Sequence, residues 1–74
     1  MEERIVVDPR VLRGKAVIKG TRIPVYLILE LLAAGMSVED ILKEYPELKE
    51  EDIRAALEYA SKLLKNEVVL PLEA

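Results

Sequence analysis

Apolar positions occur in two short blocks near the start of the chain and switch to helical spacing beyond Pro24. Ile5-Val6-Val7 is β-branched throughout, which suits a pleated strand, and Asp8-Pro9 favours a turn, so a short strand is expected over residues 4–7. A second is expected over residues 16–18, between the turn-permissive pairs Gly14-Lys15 and Lys19-Gly20. A ribbon of two such strands is marginal in water, which leaves each other, the C-terminal stretch or a second subunit as pairing partners.

Pro24 suits the first turn of a helix, and Thr21 or Ile23 lies near its cap; helix 1 is therefore expected over about residues 24–34, with Gly35 as the left-handed stop. Between Val25 and Ala34 only Tyr26 and Glu30 are not purely apolar, a pattern with almost no solvated face. Ser37 is placed to cap helix 2, with Asp40 three residues on in a near capping box, and Val38, Ile41, Leu42 and Tyr45 form one apolar face up to the stop at Pro46. Glu50-Glu51-Asp52 puts negative charge at the start of helix 3, which runs to about Lys65 with a stripe of Ile53, Ala56, Leu57, Ala60, Leu63 and Leu64. Glu50 with Arg54 and Glu58 with Lys62 are i,i+4 pairs on its wet side, and Asn66 is a cap for its exit. Val68-Val69-Leu70 is β-prone, and residues 71–74 carry no packing signal of their own. The expected fold is mainly α: a three-helix, homeodomain-like helix-turn-helix bundle with short N-terminal strands and a short C-terminal extended segment. Its parts are strands and basic loop (1–24), tri-helical core (25–65) and tail (66–74).

A chain of 74 residues forms one domain at most and buries only roughly 60% of its unfolded surface. Disulfides and thiolate or imidazole metal sites are excluded because Cys and His are both absent, so self-association is the expected source of further stability. Helices 2 and 3 are too short to surround helix 1, and a homodimer through Tyr26, Leu27, Leu29, Leu31 and Leu32 is expected. The longest apolar run stops far short of a bilayer crossing, no signal-peptide pattern opens the chain, and a cytoplasmic protein is expected.

The composition is 51% hydrophobic and 34% charged with three tyrosines as its only aromatics, which describes a globular domain with an aliphatic core. The net charge is −3, yet Arg10, Arg13, Lys15, Lys19 and Arg22 place five cations and no acid in residues 10–22, leaving −8 for the rest. Such a loop faces phosphates, an acidic partner protein or the body's own carboxylates. A DNA-recognition helix needs Arg, Lys, Asn or Gln near its N-terminus; helix 3 offers three carboxylates, so the basic loop is the better nucleic-acid candidate. The spacing of Gly14-Lys15 and Gly20-Thr21 is not that of a nucleotide-binding loop. Thr21 is as well suited to capping helix 1 as to contacting a ligand. With no His or Cys, no paired acids and no metal cluster, no enzymatic activity, cofactor, metal or small-molecule substrate is expected.

The run Gly14-Lys15-Ala16-Val17-Ile18-Lys19-Gly20-Thr21-Arg22-Ile23-Pro24-Val25 resembles the signature of the domain-of-unknown-function family 433. The similarity continues through residues 31–37, Glu39-Asp40-Ile41, Tyr45-Pro46, Leu48 and residues 51–60. Lys49 departs from it where that family often carries Ser or Thr as a cap, a loss the three acids that follow offset. The resemblance implies a homeodomain-like tri-helical fold and, for many relatives, an antitoxin that dimerises, covers the active site of a PIN-like ribonuclease toxin and represses its own operon. It makes Lys15, Lys19, Thr21 and Arg22 the place to look for binding, and Arg10 and Arg13 join them on charge.

Two readings follow. One is an antitoxin-like module that dimerises and neutralises a PIN-like nuclease, through the basic loop or through a strand added from Val68-Val69-Leu70. The other is a stand-alone dimeric DNA-binding repressor.

Overall fold

The computed structural model describes residues 4–65 as an antiparallel ribbon followed by three helices. Strand β1 (Ile5–Val7) pairs with β2 (Ala16–Ile18) in the register Ile5↔Ile18, Val6↔Val17 and Val7↔Ala16. Of the partners left open for these strands, each takes the other; the expected strand and tail beyond residue 65 lie outside the described residues. Lys19 N–H extends the ladder by donating to Arg4 O at 2.7 Å.

Helices α1 (Val25–Ala33), α2 (Val38–Glu44) and α3 (Glu50–Lys65) fall where the apolar spacing places them. Gly35 at φ 102° ends α1: its N–H donates to Leu32 O at 3.0 Å, and Met36 N–H donates to Leu31 O at 3.1 Å, the two bonds of a Schellman stop. Ser37 Oγ accepts from Asp40 N–H at 3.0 Å and so satisfies one of the free donors of α2. Pro46 follows the last turn, where Tyr45 N–H still reaches Ile41 O.

Thr21 does not cap α1. The helix begins at Val25 behind Pro24, too far on for the Thr21 hydroxyl, which closes its own turn by donating to Ile18 O at 2.8 Å and accepting from Ile23 N–H at 3.0 Å.

Each of β2, α1, α2 and α3 contributes one fully buried isoleucine to the core: Ile18, Ile28, Ile41 and Ile53. Val25, Leu48 and Ala56 fill the space around them. The core is aliphatic, as the composition requires, and three tyrosines are left to its edge or the surface.

The stripe expected along α3 is only half used. Ile53 and Ala56 are buried, whereas Leu57, Leu63 and Leu64 are exposed. For Leu63 and Leu64 the reason is length: sixteen helical residues span about 24 Å, whereas the nine of α1 and seven of α2 reach only about 13 and 10 Å, so the far end of α3 overhangs the bundle. Leu57, midway along α3, instead lies off the face set by Asp52, Ile53, Ala55 and Ala56. Asp52 and Ala55, outside the expected stripe, are buried instead.

Candidate functional site

The five cations of residues 10–22 do not form one loop surface. Arg10, Arg13 and Lys15 lie on the connection before β2, and Lys19 and Arg22 on the turn after it. About 3.3 Å per extended residue separates Lys15 from Lys19 by about 13 Å along the backbone. All five side chains are exposed. Arg10 is already engaged: its backbone N–H donates to Asp8 Oδ1 at 2.9 Å, and its guanidinium reaches the two carboxylate oxygens at 3.2 Å each. Those bonds hold the Asp8 carboxyl below its ordinary pKa, first through the side-chain hydrogen bond and then through the backbone one. Thr21, half-buried, commits its hydroxyl proton to Ile18 O, so its part in the turn is structural.

The connection before β2 contains a feature that apolar periodicity does not reveal. Leu12, Arg13 and Gly14 have φ of 50°, 58° and 83°, three successive residues in the left-handed region. Gly14 N–H donates to Val11 O at 3.0 Å and Lys15 N–H to Leu12 O at 3.2 Å, giving one tight turn. For a residue with a Cβ the left-handed conformation costs roughly 1–2 kcal/mol, and such strain clusters at functional sites. Gly14 is the one signal for it in the sequence.

Beside this turn lies an open groove of about 450 Å³. Arg13 and Lys15 form one edge, Tyr26 and Leu29 of α1 with Tyr59 and Leu63 of α3 line the rest, and no lining residue is acidic. Lys15 Nζ stands 5.9 Å from the centroid of the Tyr26 ring, within reach of a cation–π attraction. The groove is bounded by the connection before β2, the first turns of α1 (Val25, Tyr26, Leu29) and the late turns of α3 (Tyr59, Ala60, Leu63).

The expected dimer residues are covered unequally. Leu27, Leu29, Leu31 and Leu32 are half-buried and pack against the core of their own protomer, while Tyr26 is 48% exposed. The ribbon, together with the two other helices, sheathes α1 further than helix lengths alone suggest, so what remains open on it centres on Tyr26 and the adjoining groove.

The start of α3 presents Glu50 and Glu51 to solvent but not Asp52. Asp52 Oδ1 accepts from Arg4 Nη1 at 2.9 Å, and Oδ2 accepts from Lys49 N–H at 2.9 Å. Lys49 has no side-chain oxygen for capping, and Asp52 reaches back to its N–H as the third-position acid of a capping box does. Among the described residues no group of His, Cys, Asp or Glu is placed to hold a metal ion, and no helix is long and apolar enough to cross a membrane.

The family model described as "Protein of unknown function (DUF433)" matches residues 5–60, from β1 into the second half of α3. The uncharacterized protein y4eO of Sinorhizobium fredii is 45% identical over 58 residues, which are 78% of this chain but 26% of that protein. A crystal structure of a DUF433 member protein from Anabaena variabilis superimposes with a TM-score of 0.79 at 34% identity, covering 84% of this chain and 61% of that one. The chain thus spans about a quarter of the curated relative and under two thirds of the structural one.

Proposed function

This chain belongs to the DUF433 family, and from that premise we propose that it is a non-enzymatic, antitoxin-like binding module that dimerises and neutralises a PIN-like nuclease. The observation that supports the reading is the apolar surface left open beside cations: Tyr26 and Leu63, about half exposed, flank a groove edged by Arg13 and Lys15. Solvated apolar area on so small a domain favours a protein partner over isolation. A nuclease that holds metal with carboxylates offers the complementary charge, and cations inserted among those carboxylates would displace the metal. Co-expression with the product of the adjacent gene, followed by size-exclusion chromatography and a nuclease assay, tests the reading. A co-eluting complex with suppressed nuclease activity is expected; separate elution with full activity removes it.

A stand-alone dimeric DNA-binding repressor is the second reading, favoured by the helix-turn-helix order and the exposure of Arg10, Arg13, Lys15, Lys19 and Arg22. Glu50 and Glu51, exposed where a recognition helix would meet phosphates, weigh against docking through α3 and shift any DNA contact to the ribbon side. Binding to its own promoter would weaken steeply with salt and fail when Arg13, Lys19 and Arg22 are replaced by Ala; no shift at low salt removes this reading.

A further inference from the structure

We infer that the groove between the Arg13 turn and the overhanging end of α3 is a docking site for an acid-flanked apolar segment of a partner protein. The inference deepens the partner-binding reading above and rests on it. Its chemistry is asymmetric. One edge carries two exposed cations, Arg13 and Lys15, while Leu29, Tyr59 and Leu63 make an apolar floor without a carboxylate. Of the other cations on the ribbon, Arg10 is paired with Asp8 and Arg4 with Asp52, whereas Arg13 and Lys15, like Lys19 and Arg22 beyond β2, have no ion-pair partner among the described residues; only Arg13 and Lys15 line the groove. A ligand that satisfies both parts has large aliphatic side chains for the floor and a carboxylate directed at the edge. A nucleic-acid backbone meets the cations but leaves the apolar floor uncovered.

The backbone supports the same assignment. Arg13 is held at φ 58° at the rim of the groove, in a conformation that a glycine would adopt more cheaply. An arginine at that point supplies a planar, bidentate partner for a carboxylate, and Lys15, its Nζ 5.9 Å from the Tyr26 ring centroid, places a second cation at the same edge. Tyr59 and Leu63 lie one helical turn apart, about 6 Å, which matches apolar anchors two residues apart on an extended segment or one turn apart on a helix.

The test is a selection of displayed random dodecapeptides on the folded full chain, followed by anisotropy measurements on the enriched sequences as synthetic peptides. Enriched peptides are expected to carry two or more large aliphatic residues beside Asp or Glu. Arg13→Gln combined with Lys15→Gln, both at exposed positions, is expected to weaken them at least tenfold, and Leu63→Glu to abolish binding, each with an unchanged circular dichroism spectrum. Arg10→Gln and Leu64→Glu, outside the groove lining, are expected to leave affinity within twofold. The inference is overturned if nothing is enriched, if the enriched peptides lack acids, or if the double Gln variant binds them undiminished. A DNA duplex that displaces them with a steep salt dependence overturns it in favour of nucleic acid. A synthetic peptide of residues 66–74 that binds the groove more tightly than any selected sequence overturns it in favour of the chain's own segment. A nuclease complex that forms equally well with Leu63→Glu leaves the proposed function standing and removes the groove from it; absence of any complex with the unaltered chain removes the function itself.

Discussion

Arg4 and Asp52, separated by 48 positions, meet through a 2.9 Å ion pair that ties the start of β1 to the first turn of α3. The Asp52 side chain is 7% exposed and also accepts Lys49 N–H, so one carboxylate joins the ribbon to the bundle and caps a helix. Asp52→Ala leaves Lys49 N–H and the Arg4 guanidinium without their acceptor, and a loss of about 1–3 kcal/mol is expected by urea denaturation. Asp52→Asn keeps an acceptor for the backbone and is expected to lose less. Equal losses for the two variants would show that the cap is not what the carboxylate contributes.

The four buried isoleucines set the stability of the whole. Truncation of Ile28 or Ile41 to Ala is expected to cost about 2–5 kcal/mol, a large part of what a domain this small has. Leu64→Ala, at a side chain 60% exposed, is expected to stay within about 0.5 kcal/mol. Thermal melts of the three variants check the contrast. A large loss at Leu64 would mean that the overhang of α3 is covered in solution.

Left-handed backbone offers a paired test at two turns. Gly35→Ala places a Cβ at φ 102° with no neighbour within 4 Å, so only backbone strain enters, and a destabilisation of roughly 1 kcal/mol is expected. Arg13→Gly relieves strain of that size while adding chain entropy to the unfolded state, and a change between zero and about 1 kcal/mol of stabilisation is expected. The same variant is expected to bind the selected acidic peptides more weakly, separating stability from docking at one residue.

Asp8 and Arg10 supply a pH signature. The folded carboxyl titrates below its ordinary value because Arg10 donates to it from side chain and backbone. With a folded pKa below the unfolded one, the pair's contribution is present above the unfolded value and fades as pH falls through the folded one. Carboxyl carbon shifts recorded by NMR are expected to place Asp8 below an ordinary aspartate and to return it upward in Arg10→Ala. An unchanged midpoint in that variant would show that the pair does not persist in solution.

Association is checked at the surface. Tyr26→Lys, at a half-exposed position, is expected to leave the melting temperature within a few degrees. If α1 carries the dimer, the same change is expected to convert a concentration-dependent sedimentation profile into that of a monomer. A monomer already present in the unaltered chain at micromolar concentration removes self-association from the proposal.

The sequence by itself determined what depends on near neighbours along the chain. Ser37 beside Asp40, Gly35 at the end of an apolar run, Pro46 after Tyr45 and the β-branched block at Ile5 act within a turn or a strand, and each element lies where those signals put it. Periodicity also named the side of α2 that meets the core and, in the first half of α3, Ile53 and Ala56, because burial follows the 3.6-residue repeat wherever another element lies opposite; it put exposed Leu57 on that side too and left out buried Asp52 and Ala55. It could not say where that opposition stops. Whether Leu63 is covered depends on the relative lengths of three helices, whether Asp52 is a surface acid or a buried cap depends on Arg4 arriving from the far end of the chain, and whether five cations form one surface depends on which side of β2 each falls. Those are distances through space between residues far apart in sequence, and only the packed tertiary structure assigns them.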